Sequence, residues 1–325
     1  MCTALCSYGN FHLFGRTLDI EGSYGESVVI TPRGFDMTFI HEGRLSTHLA
    51  MLGIAIVKGG IPLYYDAVNE AGLAMAGLNF PISCVYSDKK PDMKNISSFE
   101  LIPWVLFQCK STAEAIRLLS NTNITNDSFS DSLPTSPLHW IISDSTSSAV
   151  VESVSGGIRI YENPLGVLTN EPPFPYHEAN ICNFLQLGSH TPKNNLCPDI
   201  NLTLYSRGLG AVGLPGDYSS QSRFVRAVFS ESHTAKENDE IESVCRFFHI
   251  MDTVSVPLGA VKTSEGKNVF TLYTSCASTK TKTYYFTTYS SRHIKAVRLV
   301  PEAFDLRGLS VFPIAQDREI HQINF

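Results

Sequence analysis

The chain has no apolar run long enough to cross a membrane: its longest, Leu49 to Val57, stops at Lys58-Gly59-Gly60, far below the ~20 residues a span requires. It also lacks a basic n-region followed by an apolar h-region, and Arg16 and Asp19 arrive early, so no secretory signal is read and a cytoplasmic protein is expected. Concentrated basic charge is missing too, since the 325 residues carry a net charge of −6. That excludes a general nucleic-acid binder, which needs clustered Lys and Arg to neutralise phosphates. There is no CxxC, HExxH, Walker A or G-x-S-x-G motif, so neither a metal centre nor a cofactor is expected. The eight cysteines are scattered and read as free thiols of a reducing compartment. Four Asn-x-Ser/Thr triplets, starting at Asn95, Asn123, Asn126 and Asn201, would matter only in a secreted chain.

What the chain does have is 43% hydrophobic residues against 17% charged, enough for one large folded domain. Strands are predicted at Thr3–Tyr8 and Phe11–Thr17 about a tight Gly9-Asn10 turn, which sets Cys2 opposite Thr17 and brings Arg16 and Asp19 near it. Strict alternation sends Arg16 and Asp19 to opposite faces, so both approach Cys2 only if the strand bends or ends near Leu18. Further strands are expected at Ser27–Thr31, Gly53–Val57, Leu63–Asp66 and Leu73–Leu78. Ser97-x-x-Glu100 and Ser111-x-x-Glu114 match capping boxes and predict two helices. Asn121 to Pro137 reads as a long polar loop. Strands resume at His139–Ser143, Ala149–Ser153, Ile158–Tyr161 and Gly166–Thr169, and helices follow near His177–Leu187 and Ser220–Ser230. Asp239 caps a third helix with Ile241, Val244, Cys245 and Phe248 on its apolar face. Strands at Val269–Thr274, Thr283–Thr288 and Ile294–Leu299 close the chain. Runs of strands alternating with runs of helices predict two sheets between helical layers rather than a βαβ fold.

Two features bear on chemistry. Gly208-Leu209-Gly210-Ala211-Val212-Gly213 matches G-x-G-x-x-G, but Pro215 and Gly216 occupy the first turn of the helix a phosphate site needs, so it reads as an ordered loop. Cys2 follows Met1, and its small side chain permits removal of the methionine. A thiol and an α-amine on one residue ordinarily titrate close enough to exchange a proton near neutral pH. Asn79 and Asn170 each end a strand beside proline and on their own read first as turn residues, with amide donation to an oxyanion as the second reading, and Arg223 reads first as a helix surface charge.

Met1-Cys2-Thr3-Ala4, Phe14-Gly15-Arg16-Thr17-Leu18-Asp19, the segment from Asn69 to Pro81, Leu168-Thr169-Asn170, and Gly213-Leu214-Pro215-Gly216-Asp217 followed by Ser222-Arg223-Phe224 together resemble the choloylglycine hydrolases, a family of N-terminal nucleophile hydrolases. The resemblance runs from residue 1 to the last strands. It implies an α+β, four-layer αββα sandwich, a homotetramer, and cleavage of the amide of glycine- or taurine-conjugated bile salts without a cofactor. It implies Cys2 as nucleophile and its α-amine as base, with Arg16 and Asp19 holding the cysteine and Asp19 contacting the amine. Asn79 and Asn170 would stabilise the oxyanion or position Cys2, and Arg223 would support the charge network. Penicillin V acylases, the alternative within the family, often carry tyrosine in place of Asn79. A non-enzymatic steroid-binding module is the alternative outside it. A steroid needs an apolar pocket, whose walls are expected from Leu18, Tyr24, the Gly59–Tyr65 loop and the long loop bearing Phe129 and Leu133.

Overall fold

Alternating small and apolar residues from Cys2 to Ile20 build the hairpin on which one sheet assembles. The computed structural model describes residues 1–45, 47–314 and 322–324. In it β1 (Cys2–Ser7) and β2 (Leu13–Ile20) pair antiparallel with Cys2 opposite Leu18 and Ser7 opposite Leu13. The connection therefore spans residues 8–12, and the register is one residue away from the tight-turn expectation. The cause is His12, whose buried ring bonds Thr279 Oγ1 at 3.0 Å and Ser143 Oγ at 2.8 Å while its carbonyl accepts from Thr279 N at 3.2 Å. Those contacts draw His12 out of the hairpin ladder. A one-residue change of register exchanges faces, so Cys2 shares its face with Leu18 and Arg16, not with Thr17 and Asp19. Nor does β2 end near Leu18; it continues to Ile20.

The chain continues through β3 (Ser27–Thr31), β4 (Met37–Phe39), β5 (Gly43–Leu45), β6 (Met51–Lys58), β7 (Ile61–Asn69), β8 (Ala74–Asn79) and β9 (Lys94–Ser97). Helices α1 (Leu101–Gln108) and α2 (Thr112–Leu119) precede β10 (Thr122–Thr125), β11 (Leu138–Ser143), β12 (Ser148–Val154), β13 (Gly157–Glu162) and β14 (Val167–Leu168). Next come α3 (Phe174–Asn180), α4 (Ser220–His233) and α5 (Glu240–Asp252). The last strands are β15 (Val261–Lys262), β16 (Asn268–Ser278), β17 (Thr283–Thr288), β18 (Ser291–Arg298) and β19 (Ser310–Pro313).

Among the described residues most strands form two large antiparallel sheets, with β4-β5 and β9-β10 as separate two-stranded pairs. One runs β14-β1-β2-β16-β17-β18 with β15 on β16; the other runs β13-β12-β11-β8-β7-β6-β3-β19. Helices α4 and α5 pack on the first sheet, against β1, β14, β2 and β16, and α1 packs on β7 and β8 of the second. The order is therefore helix, sheet, sheet, helix, as the element order predicts. Every residue of β1 is buried, and so is β2 up to Asp19, because both faces of that sheet are covered. Gly15 is needed at this centre: a Cβ there would lie 1.9 Å from the carbonyl oxygen of Ser275 on β16.

Several local expectations change. Thr122–Thr125, expected to be loop, is a strand because it pairs in parallel with β9. Ile61–Tyr65 belongs to β7 after a turn at Gly59-Gly60, both at positive φ. Ser97 and Glu100 form a reciprocal capping box, whereas Glu114 accepts from Lys110 N and leaves Ser111 to accept from Glu114 N alone. In α5 the buried side is Val244, Phe247, Phe248 and Met251, with Ile241 and Cys245 exposed. The Gly208–Gly213 run is a 3-10 turn in which Gly210 packs backbone to backbone against Gly188 and His190.

Candidate active site

On the face of β1 and β2 that looks toward the second sheet, Cys2 is almost wholly buried and Arg16 wholly so. The Arg16 guanidinium bridges the sheets. Its Nη2 donates to Cys2 Sγ at 2.5 Å, its Nη1 to Gly77 O on β8 at 2.6 Å, and its Nε to Thr17 O at 3.0 Å. Burial opposes that charge, but Cys2, Tyr273, Asp66 and Asp19 outweigh it and raise the Arg16 pKa. An N–H donated to sulfur stabilises negative charge there. Asp66, behind it, accepts from Tyr273 Oη at 2.8 Å, Ser275 Oγ at 3.0 Å and Tyr284 Oη. Burial pushes the Asp66 carboxyl up, with Arg16 and these hydroxyls pulling the other way.

The opposite face carries Thr3, Thr17 and Asp19, and here Arg223 arrives from α4. Its Nη1 donates to Cys2 O and to Thr3 Oγ1 (2.6 Å), and its Nη2 to Asn170 Oδ1 at 2.7 Å. Burial lowers the Arg223 pKa, with Asp19 and Cys2 opposing. The motif preceding this arginine has a mechanical use. Asp217 accepts from Ser219 N at 2.8 Å and Ser222 Oγ at 2.6 Å at the start of α4, and those bonds pull its pKa down to about 2. Arg226 Nη1 holds Pro215 O and Asp217 O. The segment is thereby fixed at the turn from which Arg223 projects.

Asn170 joins the pieces. Its Oδ1 accepts from Cys2 N at 2.9 Å and its Nδ2 donates to Asn79 O at 2.7 Å. The Asn79 side chain is exposed at the end of β8. With Met1 present, the terminal ammonium donates to Asp19 O at 2.7 Å and Asp19 N returns a bond to Met1 O at 3.0 Å, so Met1 extends the ladder. The Asp19 carboxylate instead accepts from Thr17 Oγ1 at 3.2 Å and Thr271 Oγ1 at 2.7 Å. With Met1 attached, the nitrogen of Cys2 is a peptide N–H and its partner is Asn170.

The six expected polar residues therefore converge, although up to 221 positions separate them. Of the expected pocket residues, Leu18 lies directly across from Cys2. Tyr24, 57% exposed, sits in the loop after β2. Phe129 packs edge-on against Phe99, and Leu133 closes a turn with Phe129 and Ser130. These three belong to loops outside the polar cluster. Sequence reasoning also missed Thr3, Thr17, Thr271 and Asp66; the alternation of β1 and β2 was the available signal for the first two. A cavity of about 790 Å³ lies elsewhere, between α4, α5 and the 188–211 segment, and one of about 300 Å³ borders Thr271 and Tyr273. Among the described residues no group of three or more His, Cys, Asp or Glu side chains is placed to hold a metal.

A family model described as linear amide C–N hydrolases, choloylglycine hydrolase family, matches residues 2–312. The chain is 42% identical over 326 residues, the full length of both, to a bile salt hydrolase/transferase of Lactiplantibacillus plantarum. It is 36% identical to a conjugated bile acid hydrolase of Lactobacillus gasseri, with 96% of this chain and all of that one covered. The crystal structure of a mutant conjugated bile acid hydrolase from Clostridium perfringens superposes with a TM-score of 0.92 at 34% identity, both chains covered in full. A penicillin V acylase from Agrobacterium tumefaciens shares the fold at a TM-score of 0.76 and 21% identity, with 96% and 90% covered.

Proposed function

The chain belongs to the choloylglycine hydrolase family of linear amide C–N hydrolases, and from that premise we propose that it cleaves glycine- or taurine-conjugated bile acids at the amide bond. The observation carrying the chemistry is the double hold on Cys2, with Arg16 on its sulfur and Asn170 on its nitrogen. Release of Met1 turns that nitrogen into a free amine on the same residue as the thiol, which supplies base and nucleophile at fixed proximity. The amine takes the thiol proton and Sγ attacks the amide carbonyl. The Asn79 and Asn170 side chains stabilise the oxyanion. The protonated amine then donates to the departing glycine or taurine nitrogen, leaving a thioester that water hydrolyses. No step calls for a metal or organic cofactor. Arg223 holds the Cys2 carbonyl from the helix-facing side, Asp19 on that side contacts the amine once Met1 is gone, and Leu18, Tyr24, Phe129 and Leu133 contribute apolar surface for the steroid.

Relatives named hydrolase/transferase favour a second outcome at the same thioester, in which an amine replaces water as the acceptor. We read the enzyme as a single-domain homotetramer of the cytoplasm, serving bile-acid and hence lipid metabolism. Exposed Leu196, Ile200, Leu202, Leu204 and Tyr205 supply an apolar surface for association, and the eight unpaired cysteines suit a reducing compartment. The test is release of glycine or taurine from glycocholate and taurocholate, with penicillin V as comparison, by protein whose intact mass shows Met1 gone. Cys2→Ser should be folded and inert; an active Cys2→Ser, or active enzyme retaining Met1, defeats the mechanism.

A further inference from the structure

The Asn170 peptide is gripped by side chains that the mechanism above does not use. His139 Nε2 lies 3.0 Å from Thr169 O, and His177 Nε2 lies 3.0 Å from Asn170 O. A carbonyl oxygen only accepts, so both rings carry a proton on Nε2 and donate it. Asn170 N donates to Ser220 Oγ at 2.8 Å, and that hydroxyl donates to Thr169 Oγ1 at 2.9 Å. The peptides on either side of Asn170 Cα are thereby tied to three different elements: β11, α3 and α4.

The two imidazoles are themselves aimed. Glu152 Oε1 stands 3.2 Å from His139 Nδ1 and accepts from Phe174 N at 2.9 Å, with both the histidine and the glutamate wholly buried. The His139 ring stacks on Phe80 at 4.3 Å and 6° between planes, and Phe80 follows Asn79. His177 stacks on Phe224 at 4.9 Å, beside Arg223. Each ring therefore bonds a carbonyl beside Asn170 Cα and stacks on the neighbour of another site residue. A buried His–Glu couple is poor as a source of stability, since desolvation offsets its attraction. Orientation is the better account of why it is there.

We propose that His139, backed by Glu152, and His177 are positioning residues for amide cleavage: their Nε2–H donors hold the carbonyls on either side of Asn170 Cα, Thr169 O and Asn170 O, so that the Asn170 side chain stays on Cys2 N and Asn79 O. The inference rests on the Cys2 reading given above. It follows that loss of either donor degrades geometry at the reacting centre without touching the steroid pocket, and an error of about 1 Å there costs up to roughly a hundredfold in rate.

Isosteric pairs test this. Glutamine places an amide N–H close to the histidine Nε2–H, while methionine fills the same space with no donor. His139→Gln, His139→Met, His177→Gln and His177→Met are assayed on glycocholate, with rates expressed per folded enzyme as measured by near-UV circular dichroism. The Met variants should lose about ten- to a hundredfold in kcat with KM unchanged, and the Gln variants should regain most of it. Equal kcat in the Gln and Met members of both pairs, or a change confined to KM, overturns the proposal. If neither Met variant folds, Ser220→Ala at the half-buried end of the clamp decides: lowered kcat supports positioning, and wild-type kcat overturns it. Wild type and Cys2→Ser run alongside. An active Cys2→Ser sinks the nucleophile reading, whereas an inert one with indistinguishable Gln and Met variants sinks only the positioning role.

Discussion

Replacing Arg16 with methionine keeps the length of the aliphatic stem and removes the guanidinium. Four bonds go with it: those to Cys2 Sγ, Gly77 O and Thr17 O and a long one to Tyr65 O. The carbonyls and the wholly buried carboxylates Asp19 and Asp66 stay behind. Breaking a buried charge arrangement from one side costs about 3–5 kcal/mol, so the urea midpoint should fall accordingly. A charge-assisted bond to the sulfur is worth about 1.5–3 kcal/mol, so alkylation of Cys2 by iodoacetamide at neutral pH and hydrolysis of taurocholate should each slow about ten- to a hundredfold. Adding Asp66→Asn removes one of the stranded anions, and the double variant should recover about 1–3 kcal/mol relative to the sum of the singles. The reasoning fails if Arg16→Met alkylates at the wild-type rate, or if the two substitutions are additive in stability. The first outcome would detach Arg16 from the thiol. The second would mean that Asp66 is balanced by its three hydroxyl donors alone.

Two further outcomes concern the same hairpin. His12 is buried between Thr279 and Ser143, with Tyr8 stacked on it and Asp144 nearby; burial lowers its pKa to about 4 from an ordinary 6.5, against the pull of Asp144. Between those values the unfolded chain binds the proton and the folded one does not, so stability contributed by neutral His12 is complete above pH 6.5 and drains as pH falls toward 4, by about 3 kcal/mol. Urea titrations of wild type and His12→Gln at pH 7, 5.5 and 4.5 should diverge in slope, and parallel pH dependences would refute the assignment. Gly15→Ala drives a Cβ into Ser275 O and should cost about 3 kcal/mol by overpacking; an unchanged urea midpoint would show that β2 and β16 can separate freely.

Legibility followed the range of the forces involved. Ser27–Thr31 and Thr283–Thr288 match their strands to the residue, because each is a short, nearly continuous run of β-branched and aromatic residues. The polar run Thr122–Thr125 carries no such pattern and becomes a strand only through a partner 28 residues earlier. On α5 the periodicity was real but its phase was not readable: whether Ile241 or Phe247 turns inward depends on the sheet beneath. Cys2, Arg16 and Asp19 could be gathered from a hairpin, whereas Asn79, Asn170 and Arg223 came together only through the family resemblance. Spacing contains nothing about a contact that spans 168 residues.

The register of that first hairpin shows why such distant contacts matter to chemistry. A two-residue turn at Gly9-Asn10 would set Cys2 against Thr17, and the pleat would then give the sulfur's face to Thr17 and Asp19. An aspartate beside a sulfur that must carry negative charge works against attack; a guanidinium favours it. The observed pairing of Cys2 with Leu18 puts Arg16 there instead and sends Asp19 to the face where Thr271 and Arg223 wait. What enforces this pairing is the hold of Thr279 and Ser143 on His12, at the far end of the hairpin from Cys2. The charge beside the thiol is thus selected by a buried imidazole that never approaches it.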